Sequence, residues 1–137
     1  MMIKTRIYLF LSLGLLMMAS CSNKKTHSTE PPKLVYEQTD QDLGTIFIED
    51  GPKVVKFTLR NEGGQYIHLI DVISTCDCTK TEFDSKELVY GGDDMTIKVT
   101  FDPKDLTEGS FERMIGVFTN TKKRPDTLYF HGVAKHK

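Results

Sequence analysis

The chain has 137 residues, 39% of them hydrophobic and 27% charged, which is one domain's worth of material and too ordinary a composition for wholesale disorder. With 18 Lys and Arg against 19 Asp and Glu the net charge is −1, so there is no basic excess to neutralise phosphates and nucleic acid is not an expected partner. Three Cys are too few for a disulfide-rich miniprotein.

Residues 1–20 read as a secretory signal peptide. Lys4 and Arg6 supply a positive start, and the apolar run Ile7–Ala19 is interrupted only by Ser12 and Gly14. A bilayer-spanning helix needs about 20 apolar residues, so this run is short for a membrane span. Met18-Ala19-Ser20-Cys21 resembles the lipobox of bacterial lipoprotein precursors, with Met18 where Leu is more usual. The resemblance implies cleavage before Cys21, a diacylglyceryl group on its sulfur and an acylated amine. The other reading is an ordinary signal with a free Cys beside it. Two or more acyl chains hold a protein stably at a membrane, and a single chain does so only marginally. The lipid on Cys21 would thus be the membrane anchor, and no other cofactor is expected.

Removing residues 1–20 leaves 16 Lys and Arg against 19 Asp and Glu, a mature net charge of −3. It also removes four of the six Met, and with them any prospect of a Met-rich metal site. Residues 22–33 contain no hydrophobic side chain and cannot bury surface to offset their ordering entropy. Residues 21–33 are therefore expected to be the lipidated Cys and a disordered tether, stiffened by Pro31-Pro32. Surface-directed lipoproteins of the Bacteroidetes type often carry acidic residues after the acylated Cys. Lys24 and Lys25 stand there in this chain, which favours the periplasmic side of the outer membrane of a Gram-negative envelope.

From Leu34 the hydrophobic period is two. Val55, Phe57 and Leu59 alternate with Lys56, Thr58 and Arg60; Met95, Ile97, Val99 and Phe101 alternate with Thr96, Lys98 and Thr100. Turn signals separate such runs at Glu49-Asp50-Gly51-Pro52, Asn61-Glu62-Gly63-Gly64, Gly91-Gly92-Asp93-Asp94, Asp102-Pro103 and Glu108-Gly109. The pattern predicts strands at 34–38, 43–48, 53–61, 65–74, 86–90, 94–101, 111–119 and 126–134, with at most one short helical turn at 104–108. Frequent short strands point to an all-β sandwich of 7–8 strands over residues 34–137. The expected core is Leu43, Ile46, Val55, Phe57, Leu59, Ile67, Leu69, Ile97, Val99, Phe101, Ile115, Val117, Leu128 and Phe130.

Several of these segments are similar to a bacterial family without an assigned role, domain-of-unknown-function family 1573. The matching residues are Asp42-Leu43-Gly44-Thr45-Ile46, Phe57-x-Leu59-x-Asn61, Ser74-Thr75-Cys76-Asp77-Cys78-Thr79, Ile97 to Asp102, Gly109-x-Phe111, Thr119-Asn120 and Gly132-Val133. The chain departs from the family pattern at Asp77, where Gly is usual, and at Gly91, where Pro is usual. The resemblance implies an immunoglobulin-like antiparallel β-sandwich, related to the hydin and major-sperm-protein types, and implies no reaction.

Cys76 and Cys78 are the one constellation with prospective chemistry. On an extended strand their Cα atoms would lie about 6.6 Å apart, close to the upper limit for a disulfide. A bridge therefore requires a bend. Closing so short a loop stabilises by only about 1.6 kcal/mol in the chain-entropy model. Three readings stay open: a local disulfide capping a bend, a pair of reduced packing thiols, or a thiol-redox or Cu(I)-handling site. A closed Zn site wants four ligands and there is no second Cys pair, so no metal site is assigned. His68 and His131 read as strand-surface residues, the acidic residues Asp93, Asp94, Asp102 and Asp105 as solvated turns, and Lys122-Lys123-Arg124 as a hairpin tip. No catalytic motif is present, and no catalytic residue is assigned. The expectation is a non-enzymatic, lipid-anchored binding or scaffold domain with an envelope protein as its partner.

Overall fold

The structure, a computed structural model, describes residues 29–137. Among these residues nine strands stack in two sheets: β1 (Leu34–Tyr36), β2 (Asp40–Phe47), β3 (Lys53–Asn61), β4 (Ile67–Ser74), β5 (Thr79–Glu82), β6 (Leu88–Val89), β7 (Asp94–Phe101), β8 (Gly109–Thr119) and β9 (Asp126–Lys135). One sheet has the order β1-β3-β7-β5 and the other β2-β9-β8-β4-β6. All pairs are antiparallel except β2 with β9.

The two-residue period sets the layers. Phe57 sits opposite Ile97 and Val55 opposite Val99, all facing the second sheet and all buried. Ile67, Leu69, Ile115, Val117, Leu128 and Phe130 meet them from the other side. Burying one such side chain is worth about 1.5–3 kcal/mol, so this interlayer is the main source of stability. Tyr36 ties the layers at one edge. Its hydroxyl donates to Asp126 Oδ2 at 3.3 Å. Burial first, and the Asp126 carboxylate second, push its pKa up, so it remains a donor at neutral pH.

The sandwich has two distinct ends. Thr29–Lys33 enters beside the β3–β4 turn (62–66), the β6–β7 turn (90–93) and the β8–β9 hairpin tip (120–125). The opposite end carries a 3-10 turn at Ile48–Asp50, the β4–β5 crossover (75–78), a second 3-10 turn at Pro103–Asp105, and residues 136–137.

Strands β3 and β7 match the predicted ranges, and the others differ by a few residues at their ends. Nine strands replace the seven or eight expected because β5, Thr-Lys-Thr-Glu, has no apolar alternation to announce it. It is an edge strand held by backbone pairing to β7 and by Thr81 Oγ1 donating to Val72 O at 3.0 Å. Leu43, expected in the core, is only partly buried. A bulge between Asp42 and Thr45 shifts the β2 register beside it. Ile48, Val72, Val89, Met95, Phe111 and Ala134 complete the core. The helical turn expected at 104–108 forms at Pro103–Asp105, where the Asp102 side chain caps it by accepting from Lys104 N.

Candidate functional site

The motif residues divide into those that build backbone and those that remain for chemistry. Asp42 Oδ1 accepts from Gly44 N at 2.8 Å, and Gly44 takes a φ of 64°, which forms the β2 bulge. A Cβ on Gly132 would lie 2.6 Å from the Gly44 carbonyl oxygen, so this glycine is required where β2 and β9 approach. Asn61 is fully buried at the end of β3. Its Oδ1 accepts from Lys33 N (3.2 Å) and Gly63 N (2.9 Å), and its Nδ2 donates to Gln65 O (2.6 Å) and Val89 O (2.9 Å). Asn120 does the same work on a smaller scale, accepting from His68 N and donating to Tyr66 O. These are structural roles.

Cys76 and Cys78 lie at the opposite end, in the crossover from the five-stranded sheet to the four-stranded one. The chain bends at residues 75–78, which brings the two Cα atoms to 5.2 Å, and the sulfurs are bonded. The extended-strand objection to a bridge is removed by that bend. The crossover is also tied without the sulfurs. Thr79 N donates to Cys76 O at 3.0 Å, Asp102 N to Cys78 O at 2.9 Å, and Cys76 N to Ser74 Oγ at 3.2 Å. Both cysteines are partly exposed, and Asp77 at the tip is exposed.

A cleft of about 290 Å³ opens beside the bridge, lined by Cys76, Asp77, Cys78, Asp102, Asp105, Leu106 and Arg113. A neighbouring cleft of about 370 Å³ shares Asp77, Cys78, Asp102 and Asp105. Arg113 is the residue that sequence reasoning missed, because it sits within the apolar run of β8. Its guanidinium carbon lies 5.6 Å from the centre of the Phe101 ring, and Nη1 donates to Glu112 O at 2.8 Å. Its Nε is buried and makes no hydrogen bond among the described residues.

The remaining candidates do not converge. Asp93 and Asp94 belong to the Thr29–Lys33 end, and Asp102 and Asp105 to the Cys76–Cys78 end. His68 is near the Thr29–Lys33 end with its Nε2 3.0 Å from Ser85 O, away from the cysteines. His131 is on the outer face of β9 between Asp40 and Asp42, at 3.4 and 3.8 Å. Among the described residues no group of three or more His, Cys, Asp or Glu is arranged to hold a metal ion. Lys122-Lys123-Arg124 does form the β8–β9 hairpin tip, with Lys122 paired to Asp126 at 2.6 Å. Cys21 lies outside the described residues.

The cysteine end also holds an acid–base clasp. His136 Nδ1 is 2.7 Å from Glu49 Oε1, and Lys137 Nζ is 2.6 Å from Asp50. The hydrogen bond to Glu49, then its charge, raises the His136 pKa, and the hydrogen bond to His136 lowers that of Glu49. A raised His pKa contributes stability that is present below the unfolded value and is lost as pH rises through the folded one. The lowered Glu pKa contributes stability that is present above its unfolded value and is lost as pH falls through the folded one. The clasp is thus closed between these limits. NMR titration should give His136 a midpoint above its ordinary value, falling in Glu49→Gln, where only the more distant Glu108 charge still raises it. An unchanged midpoint in the variant would refute the pairing.

The chain matches the model of the family described as "Protein of unknown function (DUF1573)" over residues 34–134. It belongs to this family. No functionally curated protein matches it by sequence. Among solved structures it is similar to a protein of unknown function from Porphyromonas gingivalis W83, with a TM-score of 0.62 and 14% identity over 83% of this chain. The chain spans about half that protein's length, 51%. It is also similar to the PapD-like domain 7 of human CEP192, with a TM-score of 0.58 and 11% identity, covering 86% of this chain and 92% of that one. A third likeness is to the secreted serine protease VesC from Vibrio cholerae, with a TM-score of 0.56 and 16% identity, covering 74% of this chain and 23% of that one. At these identities the likenesses establish the fold alone, an immunoglobulin-like, PapD-like β-sandwich, and they carry no activity with them.

Proposed function

We propose that this DUF1573 member is a lipid-anchored envelope protein whose sandwich binds or scaffolds another envelope protein without catalysis. The anchor reading rests on Met18-Ala19-Ser20-Cys21 behind a charged and apolar leader. Cys21 is eight residues from Thr29, a reach of at most about 28 Å at 3.5 Å per residue. The lipid would therefore keep the Thr29–Lys33 end of the domain within that distance of the membrane.

The observation that carries the binding reading is the outer face of the five-stranded sheet. Ile73 on β4 pairs with Gly116 on β8, and Met114 is two residues along β8 on the same face. Ile70, Ile73 and Met114 are 56%, 48% and 38% exposed. Gly116 adds no side chain beside Ile73, where the Phe118 ring and Pro125 are its neighbours, and exposed apolar side chains on one sheet face suit a protein surface of matching apolar character. The proposed partner is an envelope protein bearing such a surface.

Two measurements test this. Wild-type protein should fractionate with membranes, be released by detergent and incorporate labelled fatty acid, and Cys21→Ala should incorporate none. Cross-linking in intact envelopes should capture one reproducible partner that is lost in Ile73→Lys/Met114→Lys while the circular dichroism spectrum is kept. Fatty-acid label that persists in Cys21→Ala overturns the anchor, and a captured partner unaffected by the double substitution overturns the surface.

A further inference from the structure

We propose that the Cys76–Cys78 bridge is a thiol-exchange site that opens in the folded protein, with Cys76 as the leaving sulfur and a dithiol as its reductant. This goes beyond the binding reading and does not depend on it.

The bridge is dispensable to the fold around it. Backbone bonds from Thr79 to Cys76 and from Asp102 to Cys78, with the Ser74 hydroxyl on Cys76 N, hold the crossover whether or not the sulfurs are joined. β5 beyond it is fixed by four paired positions on β7 and by the Thr81 hydroxyl. A disulfide so close in sequence constrains little of the unfolded chain. It is also partly exposed, and Cys78 lines both clefts, which gives an incoming sulfur access.

The two sulfurs are not equivalent. Cys78 N donates to Cys76 Sγ at 3.2 Å, and Cys78 Sγ has only the Thr79 hydroxyl at 3.7 Å. A backbone N–H aimed at a sulfur favours its anionic form, the form in which it departs. Arg113 adds a fixed positive charge in the cleft that both cysteines line, with its Nε unengaged. Against these stand the carboxylates of Asp77, Asp102 and Asp105, of which Asp102 is engaged by Lys104 through its backbone N at 3.1 Å.

The step balances without further reagents. A thiolate of the dithiol attacks Cys78 Sγ, the S–S bond breaks, and Cys76 leaves as the thiolate. The second thiol of the reductant then attacks its own sulfur in the mixed disulfide and releases Cys78. Two electrons and two protons pass from the dithiol to the pair, and the reductant becomes a cyclic disulfide.

The test uses the full-length protein as purified from cells, from whichever fraction holds it, with dithiothreitol as the probe and Cys21 followed separately by peptide mass. Native-state alkylation and intact mass should show the bridge opened within minutes, with an unchanged far-ultraviolet circular dichroism spectrum. In Cys78→Ser the remaining Cys76 should alkylate about tenfold faster at neutral pH than Cys78 does in Cys76→Ser. Arg113→Gln should slow the Cys76 reaction. A bridge that yields only with denaturant, or only as the spectrum collapses, overturns exchange in the folded state. Equal rates in the two serine variants, or a faster Cys78, overturn the assignment of the leaving sulfur.

Discussion

Replacing Asn61 with Leu should lower stability by about 3–5 kcal/mol, a loss out of proportion to a near-isosteric change at the end of a strand. The four polar atoms that its amide serves, on Lys33, Gly63, Gln65 and Val89, come from three separate segments. Each buried group left without a partner costs about 1–3 kcal/mol, tempered where water can reach. The backbone of Asn61 is engaged as well, its N donating to Asp93 O and its O accepting from Gly92 N, so the side chain and main chain together lock one end of the sandwich.

Asn61→Asp separates this account from a packing defect. The carboxylate keeps the acceptor side and turns an oxygen toward Gln65 O and Val89 O, where the amide donated. Protonation restores one donor. The Asp variant should therefore be at least as damaged as Leu at neutral pH, and its deficit relative to wild type should shrink as pH falls. Urea unfolding across pH measures both. A deficit below about 1 kcal/mol for Leu, or a pH-independent deficit for Asp, contradicts the role assigned to the amide.

Phe101→Ala is the second substitution with a large expected effect, about 3–5 kcal/mol. The ring is fully buried at the end of β7, stacked on Phe111 at 5.3 Å and edge-on to Phe130 at 5.4 Å. It also seats the Arg113 guanidinium. Truncation removes the apolar contact, two aromatic contacts and the cation's resting surface together. Against a total stability of about 5–15 kcal/mol this approaches unfolding. Phe101→Leu should cost roughly half as much, since it fills part of the cavity and leaves the aromatic terms unmet. A midpoint shift in urea with an unchanged slope is the expected result, and equal stability of the Leu variant and wild type would contradict the importance of the rings.

Strong alternation made β3 and β7 readable from sequence, because one face of each is buried and the other wet. β5 was not readable, because an edge strand can be held by backbone pairing and a threonine hydroxyl with no apolar stripe. Leu43 reaches the core only in part for a local reason: it is out of phase with the buried Ile46 and Ile48, and the bulge at Gly44 is what still lets it pack against the core's edge. The bridge was legible only as a conditional: the spacing demanded a bend, and the bend became visible with the crossover between sheets. Arg113 was hidden by its neighbours, and Asn61 looked like a turn residue because burial of an amide leaves no mark on hydrophobic periodicity. The motifs that carry the family likeness are mainly the backbone-holding ones, which is why belonging to the family reveals the fold and not the role.

Intact mass of the protein purified from envelopes tests the lipid-anchored account most directly. The expected species begins at Cys21, carries a diacylglyceryl group and an amide-linked acyl chain, and is two hydrogens lighter than the fully reduced chain because Cys76 and Cys78 are joined. An unacylated polypeptide, or one that retains residues 1–20, contradicts it.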